Sequence, residues 1–434
     1  MLDTETAPGD HGLVAPLRRN HGFWLLLGGS SISMLGSRVT TIAYPLLVLA
    51  ISGSPVMAGW ACFAATAPSV LFYLPAGAIV DRCNPRIAML ICEILRGLVI
   101  ASVVAALLMS ELTVLQLIVA AVVEEIFEVF SSLAERRLTY SLVDPRNVPS
   151  ALAQAEARTH AAVMLGRPLG AFLFGISHSL PFFLDSLSFG ASAASLLPLR
   201  KYQRSNSCAR PPKARITREM AEGFGWLLRH PFALIALPLT AGTTFVGQAL
   251  IMIFLSEAHA YSLTTFAIGI SLAASGVGGA LGSLAAPWLL RRYGYPLFKA
   301  QLAAWVLTFA FLTLWGWRSY TSMAGAMMFM SFTGAAGNVT LDNYIAENTG
   351  EALLARVMSI SSLISFAALA LGPLCGAVAL RWHGPRVAVT GLLITVGLLW
   401  AMAPAEPDDG PYHPVVHIAQ SVGYRVAAWS HARR

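Results

Sequence analysis

Long apolar stretches separated by short polar turns make up most of the chain. Each stretch contains roughly 20 or more residues, the length of a helix that crosses the bilayer. Twelve such helices are predicted, at 22–50, 56–80, 87–109, 112–135, 152–177, 180–200, 231–257, 264–290, 297–316, 320–343, 354–380 and 384–404. Turn-forming residues separate many of them, in Ser52-Gly53-Ser54-Pro55, Asp144-Pro145, Tyr293-Gly294-Tyr295-Pro296 and His383-Gly384-Pro385. The pattern therefore predicts an all-α polytopic membrane protein.

One basic connection divides the predicted helices into two groups of six. It spans residues 201–230 and contains several lysines and arginines beside Pro211-Pro212. The predicted organisation is an N-terminal tail at 1–21, a bundle at 22–200, the central loop at 201–230, a bundle at 231–404 and a C-terminal tail at 405–434. An amphipathic surface helix and a partly disordered terminus are equally good interpretations of the last segment.

Composition agrees with a membrane protein. The chain of 434 residues is 56% hydrophobic and 12% charged, whereas soluble proteins average about 25% charged residues. The net charge of +7 does not indicate a nucleic-acid partner, because no folded polar domain is predicted that could display it. The five cysteines are scattered without a Cys-x-x-Cys pair, so we predict neither a metal site nor a disulfide. Because the first apolar stretch is long and contains Arg38, we do not interpret it as a signal peptide.

The distribution of positive charge predicts the orientation. If the N-terminus is cytoplasmic, 22 of the 29 lysines and arginines fall on the cytoplasmic side, and three (Arg318, Arg381 and Arg386) fall on the opposite side. Such an excess marks the cytoplasmic face. We therefore predict that both termini are cytoplasmic and that the protein lies in the cell membrane, which is the inner or plasma membrane.

An internal repeat relates the two predicted bundles. The fifth helix contains Gly166 and Gly170 before an alanine, and the eleventh contains Gly372 and Gly376 before an alanine, 206 residues later. A single Gly-x-x-x-Gly mostly marks close packing of helices. The turn at residues 77–86 has a fainter counterpart 205 residues later, at Gly282. Two different motifs that recur after nearly the same number of residues indicate pseudo-symmetric halves related by an axis along the membrane normal.

The turn after the second helix carries Gly77, Asp81, Arg82 and Arg86. It resembles the loop between helices 2 and 3 of the major facilitator superfamily, Gly-x-x-x-Asp-Arg-x-Gly-x-Arg/Lys, with Asn84 in place of the second glycine. Asparagine also tolerates the left-handed backbone conformation that glycine adopts. The resemblance implies a transporter in which two six-helix bundles alternate in access.

Further sequence features resemble one branch of that superfamily. Gly166 and Gly170 are similar to the antiporter motif Gly-Pro-x-x-Gly-Gly, although Arg167 replaces its proline and Ala171 its last glycine. Ser-Met-Leu-Gly-Ser in the first helix, Asp-Ser-Leu-Ser-Phe in the sixth and Ala-Arg-Val-Met-Ser before the eleventh resemble the bacterial siderophore and multidrug exporters. This resemblance implies efflux.

Three acids in the fourth helix are the strongest candidates for ion coupling. Glu124, Glu125 and Glu128 fall within about 100° on one helix face, and Glu124 is close to the predicted bilayer midplane. Charge at that depth faces a cavity or a partner. Three acids on one face repel when ionised, so at least one is a candidate proton carrier. The alternative is a structural ion-pair cluster with arginines inside the helices.

Polar residues inside other helices complete the candidate cavity. Arg38 is expected to bind an anionic group or to pair with a glutamate, and Arg167 is a second candidate. Gln248 and Asn338 are the uncharged candidates in the second half. Arg96, one turn from Glu93, is expected to pair within its own helix. Asp185 is expected to be a structural polar contact.

The resemblance also implies a conformational latch at Gly77, Asp81, Arg82, Arg86 and Glu135. Asp81 would meet the N-terminus of helix 11, where free N–H groups favour negative charge. The arginines would pair with acids of helix 4, for which Glu135 is the candidate. These contacts would hold the outward-open state and break as the halves move.

Three classes of function are compatible with the sequence. The first is proton-coupled efflux of an amphipathic small molecule such as a drug, antibiotic or siderophore. An uptake carrier for an anionic or nutrient solute is the alternative, and a membrane enzyme or a non-transporting receptor is a remote one. The chain contains no P-loop, and we predict no enzyme activity and no cofactor. The expected partners are a small-molecule substrate, protons and the lipid bilayer, with no nucleic acid and a monomeric state.

Asp81→Asn should retain expression and lower transport severalfold, because it removes the anion proposed to meet helix 11. Flux in vesicles reconstituted with the purified variant would measure this. Transport equal to that of the wild type would refute the latch.

Overall fold

The computed structural model describes residues 20–80, 82–144, 147–201, 224–261, 264–316, 320–349 and 351–403. All the regular elements in these residues are helical. Residues 1–19 of the predicted N-terminal tail, the predicted C-terminal tail, most of the central loop and Asp81 lie outside the described residues. The predicted all-α membrane fold is confirmed.

The helices follow one another closely. They are α1 His21–Ser52, α2 Pro55–Ala64, α3 Ala67–Val80, α4 Pro85–Leu108, α5 Val114–Leu142, α6 Val148–Ile176, α7 Leu180–Leu196, α8 Pro231–Ala260, α9 Thr265–Tyr293, α10 Pro296–Phe311, α11 Tyr320–Asn348 and α12 Glu351–Met402. A 3₁₀ turn at Pro198–Lys201 follows α7, and a π turn at Leu312–Gly316 extends α10.

The helical breaks differ from the predicted ones in two places. The predicted second helix is interrupted between α2 and α3, and the predicted eleventh and twelfth helices are joined as α12, which bends at Gly384. Of the described residues, seven helices are long and apolar enough to cross a membrane. Twelve transmembrane helices therefore stay a prediction, which the described segments match if α2 and α3 count as one and α12 as two.

Glycines end or interrupt helices at three of the predicted turns. Gly53, Gly294 and Gly384 have φ angles of 61°, 66° and 74°, a region that L side chains rarely adopt. Asn84 does not adopt this conformation. Its backbone is extended, and its side chain accepts hydrogen bonds from Arg86 N and Ile87 N as the N-cap of α4, because the following proline disfavours helical geometry and asparagine is a good N-cap.

The same pairs of helices pack in each half. In the first half α6 packs on α1, and in the second half α12 packs on α8. The halves meet mainly through α6 against α9 and α2 against α12. This arrangement places the repeated glycines at equivalent contacts.

The repeated glycines lie where two backbones meet. A Cβ at Gly170 would overlap the carbonyl oxygen of Val39 in α1. In the second half, a Cβ at Gly376 would lie 2.7 Å from the carbonyl oxygen of Ala249 in α8, and one at Gly372 would lie 2.6 Å from that of Phe245. Small residues at these points allow helices to approach closely in a bilayer, where the hydrophobic effect does not drive them together.

Among the described residues, the hydrophobic core joins the halves at one end and is divided at the other. One cluster contains Ile42–Leu49 of α1 together with buried residues of α2, α8 and α12. At the end where α1 begins there are two clusters, one around Phe23 and Leu26 and the other around Phe232 and Leu237. Nothing lies within 4 Å of a Cβ built on Gly77 at this end, so this glycine does not accommodate a neighbouring backbone in this conformation.

Gly170→Ala should lower the thermal stability of the purified protein, because the methyl group overlaps the α1 backbone. Overpacking of this kind costs about 1–3 kcal/mol. Gly190→Ala is the matched control, since nothing lies within 4 Å of its Cβ position. Equal unfolding temperatures for the two variants in one detergent would contradict this account of α1–α6 packing.

Candidate functional site

A cavity of about 690 Å³ lies between the two halves, within the size range of small-molecule sites. Among the described residues, those that line it with a charge belong to the first half. They are Arg38, Arg96, Glu124, Glu125, Glu128, Glu135, Arg136, Arg158 and Arg167.

The second half supplies a different wall. Its lining residues are mostly apolar, and they come from α8 and α12. They are Gln248, Ile251, Met252, Leu255, Ser362, Phe366, Leu369 and Pro373. Gln248 therefore lines the cavity, as expected, whereas Asn338 is exposed and is not among these residues. The cavity thus has one charged wall and one predominantly apolar wall.

Arg96 lies at the centre of the charged wall. One guanidinium nitrogen lies 2.5 Å from Glu128 Oε2 and 3.5 Å from Glu93 Oε1, and the other lies 3.4 Å from Glu124 Oε1. The arginine and Glu93 are buried, and the Glu128 side chain is 32% exposed. The expected pair with Glu93 is present, but the carboxylates of Glu124 and Glu128 in α5 also contact this arginine. We call these four residues the Arg96 cluster.

The local sequence explains this convergence. Glu93 and Arg96 are one turn apart in α4, and Glu124 and Glu128 are one turn apart in α5. The two helices are neighbours joined by a short turn. Residues at similar distances from that turn lie at similar depths, so the sequence contained a signal for the contact. The expected pair of Arg96 with Glu93 is one of its three contacts, and the other two correspond to the alternative of a structural ion-pair cluster with arginines inside the helices.

Hydroxyl groups orient the carboxylates of the cluster. Ser33 and Ser131 donate to the two oxygens of Glu93 at 2.9 and 2.8 Å. Tyr44 donates to Glu124 at 3.2 Å. These bonds reduce the cost of burying charge in a medium of low dielectric constant.

Further contacts hold Arg96 itself. It donates to the hydroxyl of Ser37 at 2.7 Å, and its guanidinium carbon lies 4.3 Å from the centre of the Phe189 ring. A neighbouring acid, Asp185, is fully buried and accepts a hydrogen bond from Thr40 at 2.9 Å. Its contacts are polar and within the first half, as expected.

Glu125 has a separate environment. It accepts a hydrogen bond from Ser69 of α3, whereas Glu124 and Glu128 contact Arg96. The three acids predicted on one face therefore line one cavity but divide between two sets of partners, because successive residues on a helix differ by about 100° in direction.

Arg38 and Arg167 line the cavity without an acidic partner. Of the described carboxylates, none lies within 4.0 Å of either guanidinium. The Nε atom of Arg38 is buried and has no hydrogen-bond partner in the described residues. In this conformation Arg38 is not paired with a glutamate, which was one of its two expected roles.

The predicted latch residues have other partners in this conformation. Glu135 lies 2.5 Å from Arg158 and accepts a hydrogen bond from Ser30 at 2.7 Å. Arg86 donates to the carbonyl oxygens of Leu196 and Leu197 at 2.7 and 2.8 Å.

Two further observations bear on the latch. Arg82 is exposed, and Asp81 lies outside the described residues. The expected arginine–Glu135 pair is therefore replaced by Arg158, a partner from α6 that sequence reasoning did not identify.

Comparison with known proteins decides the family. A family model described as Major Facilitator Superfamily matches residues 26–301, which is more than half of the chain. The chain belongs to the Major Facilitator Superfamily. A relative in Sinorhizobium fredii (strain NBRC 101917 / NGR234), described as the uncharacterized MFS-type transporter y4rN, is 25% identical over 398 residues, covering 90% of this chain and 96% of the relative.

Solved structures of transporters share the fold of this superfamily member. The nucleoside transporter NupG has a TM-score of 0.66 at 14% identity, covering 88% of this chain and 97% of that chain. A bacterial homologue of the iron transporter ferroportin, in an inward-facing state, has a TM-score of 0.66 at 15% identity, covering 90% and 98%.

A third structure is also inward-facing. It is an unoccupied bacterial homologue of the human lysosomal transporter Spinster, with a TM-score of 0.65 at 13% identity, covering 90% of this chain and 97% of that chain. Identities this low establish the fold alone. The family identifies this protein as a membrane transporter of a small molecule.

Arg96→Gln should destabilise the protein, because it leaves Glu93, Glu124 and Glu128 without their shared cation. Removing one partner of a buried ion pair costs about 3–5 kcal/mol. Adding Glu128→Gln should restore part of the lost stability by removing one of the excess charges.

Thermal unfolding of the single and double variants in one detergent measures this effect. Arg82→Gln is the control, since Arg82 is exposed and should change the unfolding temperature little. A double variant less stable than Arg96→Gln alone would contradict the charge balance described for the cluster.

Proposed function

We propose that this superfamily member is a proton-coupled exporter of an amphipathic small molecule, such as a drug, antibiotic or siderophore. It would act as a monomer in the inner or plasma membrane, with both termini in the cytoplasm. The contrast between the two cavity walls carries this proposal. The sequence resemblance to siderophore and multidrug exporters supports the direction of transport.

An amphipathic substrate suits the two walls of the cavity. Charged and hydrogen-bonding groups line one side, and Ile251, Met252 and Phe366 offer apolar surface on the other. Small-molecule sites are generally apolar with a few placed polar groups that fix orientation. A molecule with a polar head and an apolar body can contact both walls at once.

Proton coupling is supported by the charge balance of the Arg96 cluster. One arginine lies within 4.0 Å of three carboxylates, so ionisation of all three would leave excess negative charge in a medium of low dielectric constant. Protonation of Glu124 or Glu128 lowers that excess by one charge. Both side chains line the cavity, where substrate and proton can influence each other.

Alternating access is supported by the distribution of the hydrophobic core. The halves share one core cluster at the end distant from the termini and have separate clusters at the other end. With the predicted orientation, this conformation is closed toward the outside and receives substrate from the cytoplasm. Motion of one half against the other would then expose the cavity outward.

Uptake of an anionic solute is the second candidate function. Arg38 and Arg167 favour it, because both line the cavity without an acidic partner in the described residues. The two functions differ in the relative direction of proton and substrate. Antiport drives substrate into vesicles with an acidic lumen, and symport drives it out of them.

Glu124→Gln, Glu125→Gln and Glu128→Gln should identify the coupling acid. Gradient-driven flux should fall at least about tenfold in the variant that removes the proton carrier, because glutamine cannot bind and release a proton as glutamate does. The assay uses vesicles with purified protein in one known orientation, an imposed pH gradient and an amphipathic compound selected by screening the wild type.

Glu111→Gln is the matched control, because Glu111 is exposed in the turn between α4 and α5. Its flux should equal that of the wild type. If all three cavity variants also keep wild-type gradient-driven flux, the acids are structural and proton coupling through them is refuted.

A further inference from the structure

We propose that Arg38 and Arg167 form an anion-binding subsite, and that the transported substrate is an amphipathic organic anion. The anionic group would be a carboxylate, sulfonate or phosphate ester held between the two guanidinium groups. This inference rests on the proposed transport function and adds the chemical class of the substrate.

Glycines bring the two arginines to the same part of the cavity. A Cβ at Gly166 in α6 would overlap the Cβ of Arg38 in α1, and one at Gly170 would overlap the carbonyl oxygen of Val39. The helices therefore touch backbone to backbone at Arg38. Arg167 follows Gly166 directly, and both arginines line the cavity.

Arg38 and Arg167 differ from Arg96 and Arg158 in having no close carboxylate among the described residues. Arg96 and Arg158 each have a carboxylate at 2.5 Å. Arg38 and Arg167 have none within 4.0 Å among the described residues. Glu125, whose charge interacts with that of Arg38 from beyond 4.0 Å, accepts its hydrogen bond from Ser69.

Two unpaired cations at this depth are costly. Arginine inside a bilayer protein pairs with an acid or faces a water-filled pathway, and two like charges in one cavity repel each other. A bound anion cancels both costs. Guanidinium groups also match carboxylate, sulfonate and phosphate oxygens through paired hydrogen bonds.

The opposite wall indicates what accompanies the anionic group. Ile251 and Met252 of α8 and Phe366 of α12 line the cavity with apolar surface, and Gln248 supplies an amide among them. A flat or extended apolar body can lie against this wall while its anionic end lies at the arginines. A small inorganic anion would leave the apolar wall uncovered.

Binding of three dansyl probes tests the proposal. Dansylglycine is an anion, dansylglycinamide is its neutral amide, and dansylcadaverine is a cation with the same fluorophore. Fluorescence titration of the full-length protein in phosphatidylcholine nanodiscs gives each dissociation constant. We expect the anion to bind at least about tenfold more tightly than the neutral amide, the range of a charge-assisted contact.

Arg38→Gln and Arg167→Gln should each reduce that preference about tenfold. Arg38→Lys and Arg167→Lys keep the charge and should keep part of the preference, which tests the subsite if a glutamine variant does not fold. Arg386→Gln is the matched control, because it removes an exposed arginine outside the cavity. Its preference should equal that of the wild type.

Anionic lipid headgroups carry the same chemistry, so a second set of nanodiscs includes phosphatidylglycerol. Unchanged anion preference in these nanodiscs supports a soluble substrate. These titrations are made at high ionic strength in both kinds of nanodisc, because salt screens the surface potential that repels an anionic probe. Loss of the preference under these conditions would show that the arginines bind lipid, which overturns the proposal.

Equal binding of the three probes to the wild type also overturns the proposal, as does a preference that none of the four cavity variants alters. The titration needs no pH gradient. If the flux assay shows no proton coupling but the anion preference is intact, the proposed coupling is refuted and the proposed subsite is not.

Discussion

Charge buried in a medium of low dielectric constant is the constraint on which this structure depends. In water an ion pair contributes little to the free energy of folding, because both ions are already well solvated. Inside a bilayer each ion needs a partner, a hydrogen bond or a polar cavity. Arg96 meets this requirement for Glu93, Glu124 and Glu128. Its contacts fix how α4 lies against α5 and place the remaining negative charge on the cavity wall.

Close packing of helices at glycines is the second feature that shapes the cavity. Glycines in α6 and α12 allow these helices to touch α1 and α8, so the two halves have equivalent frameworks. Their chemistry differs, because the charged lining residues lie in the first half and the second half contributes mostly apolar side chains. A symmetric framework can thus present an asymmetric surface to one substrate.

The cluster and the packing together explain why the interior has two kinds of arginine. Arg96 and Arg158 are neutralised by acids of α5, and they stabilise the first half. Arg38 and Arg167 face the cavity without such partners in the described residues. The first two arginines therefore have partners within the protein, and the other two are the pair for which we propose an anion-binding role.

Much of the fold could be predicted from the sequence, because helix length, turn glycines and the repeat are local or periodic signals. Gly53, Gly294 and Gly384 lie at turns or bends as predicted, and Gln248 of α8 is one of the residues that line the cavity. The break between α2 and α3 was missed, because both segments are apolar and the break contains neither glycine nor a charge.

The sequence by itself determined an all-α membrane transporter with two related halves and acids inside its fourth apolar segment. Only the tertiary structure decided how those charges pair. In the folded protein Arg96 contacts three acids. Glu125 accepts a hydrogen bond from Ser69, and Glu135 pairs with Arg158. Ion pairing depends on the depth and facing of side chains from different helices, and these are set by packing between segments distant in the chain.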